Sequence, residues 1–224
     1  MGGSKYSKFL TVILIIVVIG VFGLLGYLGI DVYKKFANKK EVAQVLDEYD
    51  NTLNTSSGTT TGTNSNVEMP DVIAEPSNTI GGATGTQSTQ VKYKGYNVKG
   101  KIEIPAIDLE YPILEKTTPT SIEAAVAIMY SANGLNQPGN TVIAGHNYRN
   151  GDFFGNNDKL KLGDKVYITD NSGTKIKYTI YNIYETSPDD SDFIRRETNG
   201  KREISLSTCT DNSKARLIIW AVEE

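Results

Sequence analysis

The run Phe9–Ile30, "FLTVILIIVVIGVFGLLGYLGI", holds 22 residues without a single charge. Wound as a helix at about 1.5 Å per residue, it spans the roughly 30 Å hydrocarbon core of a bilayer. A helix apolar on every side belongs in lipid rather than on the surface of a soluble domain. The run is longer than the apolar centre of a usual signal peptide, and no small-x-small cleavage site precedes the charged "DVYKK" that follows it. Residues 9–30 therefore read as an uncleaved transmembrane anchor with the lipid bilayer as a partner, preceded by a short segment, 1–8. Flanking charge points the other way from a surface enzyme: Lys34, Lys35, Lys39 and Lys40 follow the run, against Lys5 and Lys8 before it. Long downstream domains translocate largely regardless of such charges, and the expectation is a single-pass cell-membrane protein with its downstream domain extracellular.

Residues 31–94 change character. Lys39–Tyr49 has the composition to extend as a short helix, but "NTLNTSSGTTTGTNSN" and "GGATGTQSTQ" are too poor in apolar side chains to offset the entropy of ordering. The span reads as a juxtamembrane segment and flexible linker, able to hold a domain on the order of 40 Å from the bilayer.

Residues 95–224 have the length of one domain. Segments rich in β-branched and aromatic residues, "GKIEIPAI", "LEYPILE", "NTVIAGH", "DKVYITD", "TKIKYTIYNIYET", "REISLSTC" and "RLIIWAVE", are separated by turn residues such as "LNQPGN" and "DNSG". In "TPTSIEAAVAIMY", Thr120 and Glu123 have capping-box spacing and good helix formers follow, predicting a helix. Many strands and one helix point to a mainly β domain, an antiparallel or mixed barrel. The net charge of −3 provides no basic surface for nucleic acid.

The chain has one cysteine and one histidine. In "EISLSTC", period-2 alternation sets Ile204, Leu206 and Thr208 on one face and Glu203, Ser205, Ser207 and Cys209 on the other. A free cysteine usually packs as a small hydrophobe. Cys209 instead lies on the polar side, and no second cysteine exists to form a disulfide in an exported domain. The reactive form of such a group is the thiolate, which needs a base or cation nearby. His146, ending the strand "NTVIAGH" after Gly145, is the sole imidazole available. Arg216 opens the strand after Cys209 across the six residues "TDNSKA", a length that suits a hairpin loop. A guanidinium there can donate fixed hydrogen bonds to a carbonyl or an oxyanion.

The blocks "GKIEIPAI", "PGNTVIAGHN", "FFGNNDKLKLGDKVYI" and "EISLSTC" followed by "ARLIIWA" resemble, in order and spacing, those of the sortases, membrane-anchored cysteine transpeptidases of Gram-positive bacteria. The family signature Thr-Leu-x-Thr-Cys stands here as "SLSTC", with Ser205 keeping a small hydroxyl where threonine is usual. The resemblance implies a closed eight-stranded sortase-like β-barrel with one or two short helices, and a catalytic set of His146, Cys209 and Arg216. It implies cleavage of a Leu-Pro-x-Thr-Gly-like signal between Thr and Gly through a thioacyl enzyme. The partners it implies are secreted proteins bearing C-terminal sorting signals and a peptidoglycan precursor or other amine acceptor. No cofactor and no metal are expected, since "SANGLNQPGN" before the histidine strand lacks the carboxylates with which some sortases bind calcium. "ETSPDDSDFIRRETNGKRE" is short for a class B insertion, and the sequence to Glu224 shows neither the lid motif nor the second membrane helix usual in class C, which leaves class A or D. The alternatives are a pilin-polymerising sortase, a wall-associated cysteine hydrolase and a surface binding module with an inert thiol.

Overall fold

The computed structural model describes residues 5–57, 90–210 and 213–224. Two compact units divide the chain, Met1–Gln44 and Val45–Glu224.

The first unit carries most of α1, a helix running Lys5–Ser57. Its stretch Phe9–Tyr27, with a mean hydropathy of 3.0, is long and apolar enough to cross a membrane. Among the described residues nothing buries that stretch, as a lipid-facing helix requires.

Among the described residues, the second unit has nine strands: β1 (Lys92–Tyr93), β2 (Tyr96–Ile104), β3 (Leu109–Leu114), β4 (Val126–Ser131), β5 (Gly139–Ala144), β6 (Lys165–Asp170), β7 (Lys175–Thr186), β8 (Arg202–Thr210) and β9 (Ala215–Glu223). Single 3₁₀ turns lie at Pro105–Ile107 and Asn157–Lys159. β2 to β9 form a closed eight-stranded barrel in the order β2-β3-β4-β5-β8-β9-β7-β6, with β6 pairing back to β2 through Ile102 and Ile168. The barrel fold expected from the sequence is thus present. Closure leaves no long unpaired edge in a domain with so many strands. Ile102, Ile143, Ile168, Ile204, Leu206 and Ile219 fill the interior, each at most 1% exposed.

Most pairings are antiparallel, but β3–β4 and β5–β8 are parallel. A parallel pair cannot be closed by a tight turn and needs a long crossover. For β5 and β8 the crossover is everything from Gly145 to Lys201, including β6 and β7.

The helix expected in "TPTSIEAAVAIMY" does not form. One turn is made, with Ile122 N–H donating to Thr118 O and Ala125 N–H to Ser121 O, each at 3.2 Å, and the chain then extends as β4. The capping pattern is Thr118 with Ser121, not Thr120 with Glu123: each hydroxyl accepts from the other residue's backbone N–H, at 3.0 and 2.8 Å. Burial decides the outcome. Ala125, Val126 and Ala127 are fully buried, and Ala127 and Ile128 pair with Ala144 and Ile143 of β5, so tertiary pairing overrides local helix propensity.

Within the second unit, residues 45–57 of α1 pack on the seam between β2 and β6. Leu46 and Tyr49 are 5% and 2% exposed, and the Tyr49 hydroxyl donates to Thr169 O at 3.4 Å. Lys101 on β2, itself 8% exposed, donates to both oxygens of Asp50 at 3.0 and 2.8 Å and has Glu110 at 3.8 Å. Burial pulls the Lys101 ammonium down, but the Asp50 hydrogen bonds and charge outweigh it and hold the group above the ordinary lysine range. Ser57 and Gln90, which flank residues 58–89, belong to this same unit. Of the expected linker tract "NTLNTSSGTTTGTNSN", residues 51–57 are instead the last turns of α1, where the Thr52 and Thr55 hydroxyls donate back to Glu48 O and Asn51 O; its remainder and nearly all of "GGATGTQSTQ" fall outside the described residues.

Removing the Asp50 carboxylate leaves a buried cation with only a distant partner. We expect Asp50→Ala to destabilise the full-length protein by about 1 kcal/mol, since the carboxylate is half exposed, and Asp50→Ala with Lys101→Met to recover most of the loss. Urea denaturation in detergent, followed by Trp220 fluorescence, measures both.

Candidate active site

The parallel pairing of β5 and β8 matches Val142 with Ser205 and Ala144 with Ser207. The ladder continues past the end of β5: Gly145 N–H donates to Ser207 O at 3.1 Å, and the Thr208 hydroxyl donates to Gly145 O at 2.8 Å. Two residues beyond Ala144 and Ser207, His146 stands level with Cys209. On the other side of β8, Cys209 pairs directly with Arg216 of β9. His146, Cys209 and Arg216 therefore form one row across three adjacent strands, with neighbouring backbones about 4.8 Å apart. The structure brings all three residues singled out in the sequence together.

The row lies on the outer face of the barrel, because Ile204, Leu206 and Thr208 take the inner one. Its backbone is held by side chains, with Asn147 Nδ2 donating to Cys209 O at 2.8 Å. Gly145 is required by close packing: a Cβ there would come within 2.8 Å of the Phe154 ring and 2.9 Å of Val126. Cys209 is half-buried and makes no disulfide.

His146 sits against an aromatic relay, its ring 5.2 Å from Tyr148, which is 5.5 Å from Phe153, which is 5.2 Å from Tyr111. Glu123 Oε1 lies 3.1 Å from His146 Nε2, and the Tyr148 hydroxyl donates to Glu123 Oε2. The Tyr148 hydroxyl, together with the His146 charge, holds the Glu123 carboxyl below the usual carboxylate range. Burial, and then the Glu123 bond, push the Tyr148 phenol up to about 12. Arg216 donates through Nε to Pro188 O at 3.0 Å, and its terminal amino groups make no hydrogen bond among the described residues.

The polar side of β8 is roofed by the segment joining β7 and β8, residues 187–201. Phe193 packs into a cluster with Val142 and Ile218, flanked by Met129, Tyr130, Tyr184, Ile194 and Trp220. Asn140 Nδ2 donates to Phe193 O and Ile194 O, both at 2.9 Å, while its Oδ1 accepts from the Ser205 hydroxyl at 3.0 Å. Ser205, fully buried, thus uses the hydroxyl that the sequence retains in place of threonine. Arg196 pairs with Glu203, stacks 4.5 Å over Trp220 and reaches Ser205 Oγ at 3.4 Å. The Tyr181 hydroxyl donates to Glu203 at 2.6 Å. Asn140 and Asn147 carry no sequence signal of a role, because their partners lie 53 and 62 positions away, and Glu123, which the sequence suggests as a helix cap, lies beside His146 instead.

Arg196→Met strands the Glu203 carboxylate, whose side chain is only 10% exposed, with a single phenol partner. The expected cost is about 3 kcal/mol in chemical denaturation, most of it recovered when Glu203→Leu is added. In hydrogen exchange, residues 187–201 should lose protection first.

Residues 102–224 match the sequence model of the sortase domain. Sortase A of Bacillus anthracis is 35% identical over 125 residues, covering 54% of this chain and 58% of that relative. Sortase A of Streptococcus agalactiae is 29% identical over 140 residues, covering 60% of this chain and 56% of that relative. The chain thus spans 58% and 56% of the lengths of these curated relatives. Among solved structures, a Clostridium perfringens sortase D5 transpeptidase is 28% identical with a TM-score of 0.52, covering 57% of this chain and 79% of that one. Sortase A from Corynebacterium diphtheriae is 29% identical with a TM-score of 0.53, covering 58% and 61%. With more than half of its length matching the domain, the chain belongs to the sortase family.

Proposed function

We propose that the protein is a membrane-anchored cysteine transpeptidase that joins secreted proteins to a cell-wall amine. The observation that carries this reading is the row His146–Cys209–Arg216 at the shared rim of β5, β8 and β9. A nucleophile, a proton carrier and an oxyanion donor are all that acyl transfer at a peptide carbonyl requires.

Cys209, as thiolate, attacks the carbonyl carbon between Thr and Gly of a Leu-Pro-x-Thr-Gly-like signal, forming the S–C bond. The carbonyl π electrons move to oxygen, and the free terminal amino groups of Arg216 stabilise the oxyanion. Collapse breaks the C–N bond, and His146 gives its proton to the departing glycine amine, leaving a thioester. An incoming amine of a peptidoglycan precursor attacks that thioester, His146 takes its proton, and the thiolate leaves. The thioester conserves the energy of the cleaved peptide bond, so the exchange needs no nucleotide. On this reading Phe9–Tyr27, apolar and long enough to cross a bilayer, is the anchor, and the catalytic unit works on the outer side, where clients and acceptor meet.

The test is a soluble or detergent-held enzyme with a panel of sorting-signal peptides and triglycine or hydroxylamine as acceptor. Cleavage with amine transfer, abolished in Cys209→Ala and lowered at least a hundredfold in His146→Ala and Arg216→Ala, is the expected result. Cleavage with water as the sole effective acceptor marks a cysteine hydrolase instead. No Cys209-dependent product with any signal leaves a surface module with an inert thiol.

A further inference from the structure

We propose that Glu123 is a positioning residue for His146, holding the Nε2 edge of the imidazole so that Nδ1 is the nitrogen exchanging protons with thiol and amine. The inference rests on the transpeptidase reading for its kinetic consequence, but the contact itself is independent of it.

His146 Nε2 is buried and makes no hydrogen bond among the described residues, yet Glu123 Oε1 is 3.1 Å away. The separation suits a hydrogen bond and the alignment does not. Catalytic hydrogen bonds in unliganded sites are commonly misaligned and tighten when substrate arrives. The carboxylate is well placed to take the bond, since its other oxygen is tied to the Tyr148 hydroxyl and Tyr148 packs against both the imidazole and Phe153. Glu123 is further fixed from its own side by the Thr118–Ser121 box two residues earlier, whose Ser121 hydroxyl also donates to Lys116 O at 2.7 Å. One carboxylate thus links the turn before β4 to the histidine and tyrosine after β5.

The chemical consequence follows from the two ring nitrogens. A neutral imidazole with its proton on Nε2, facing a carboxylate, presents a lone pair on Nδ1. The wrong tautomer turns a donor toward the group whose proton must be taken, and no base is available. When the ring becomes an imidazolium during the reaction, the carboxylate also offsets its charge, moderated by solvent because the Glu123 side chain is 59% exposed. Cys209, level with His146 on β8, and the Tyr148 phenol are the other titratable groups beside it, with Arg216 of β9 on the far side of Cys209.

The measurement uses the full-length protein in detergent, with a sorting-signal peptide and triglycine. Glu123→Ala is expected to lower kcat about tenfold with KM within about twofold of wild type, and Glu123→Asp to restore part of the loss. Melting temperature should hardly move, because the side chain is exposed. His146 is the only histidine, so ¹⁵N imidazole spectra contain one pair of ring signals. Wild type should show the Nε2-protonated tautomer, and Glu123→Ala a mixture of tautomers. An unchanged kcat, a loss confined to KM, or a tautomer pattern indifferent to Glu123→Ala would overturn the proposal. Should wild type transfer no peptide, the transpeptidase reading falls, while the imidazole spectra still decide whether Glu123 holds the ring.

Discussion

The parallel pairing of β5 with β8 is the constraint on which the site depends. Two parallel strands end on the same rim, and an antiparallel partner of the second begins there. The pairing therefore delivers the residue after β5, the end of β8 and the start of β9 to one place, and those positions hold His146, Cys209 and Arg216. Any register slip of one residue would turn the thiol into the barrel interior and Thr208 outward. The slip is opposed by burial, since Ile204 and Leu206 would leave a packed core at about 1.5–3 kcal/mol each. Chemistry at the rim is thus aligned by the hydrophobic core beneath it.

A second layer fixes what the strand ladder leaves free. The segment roofing β8 is held at one end by Asn140, Ser205 and the Arg196–Glu203 pair, and at the other by Arg216 itself through Pro188 O. Replacing such a buried ion pair by apolar residues often costs nothing, so its presence is poor evidence of added stability. Its geometric effect is different. Arg196 stacks on Trp220, and Trp220 pairs with Ser205, so the roof is set in one position relative to the strand carrying Cys209. Arg216 is tied to that same roof through Pro188 O.

How legible this was in the sequence depends on the range of the interaction concerned. Alternation in "EISLSTC" gave the face of Cys209, and the short interval before Arg216 gave the hairpin, because both are local properties. The approach of His146 was suggested by its being the single imidazole, and only the resemblance to a family made it specific. In "TPTSIEAAVAIMY" local propensity favoured a helix, and pairing of Val126–Ser131 with β3 and β5 overrode it. Glu123, assigned there to an N-terminal cap, ends beside the histidine instead. Nothing in single-sequence patterning reports that residues 45–57 of α1 will cover the β2–β6 seam, since the signal is one tyrosine and one aspartate whose partners lie about 120 and 51 positions on.

Three side chains in and beside the row each saturate a backbone carbonyl. Thr208 donates to Gly145 O, Asn147 to Cys209 O and Arg216 to Pro188 O. Strand ends normally fray because their last carbonyls lack ladder partners, and frayed ends cannot hold reacting groups at near-attack distances. Side-chain donors extend the ladder beyond the last regular pair, and the absence of a Cβ at Gly145 lets the extension lie flat against Phe154 and Val126. Rigidity at this rim is therefore built from bonds that do no chemistry, which leaves the thiol, the imidazole and the guanidinium tips as the parts still free to respond to a substrate.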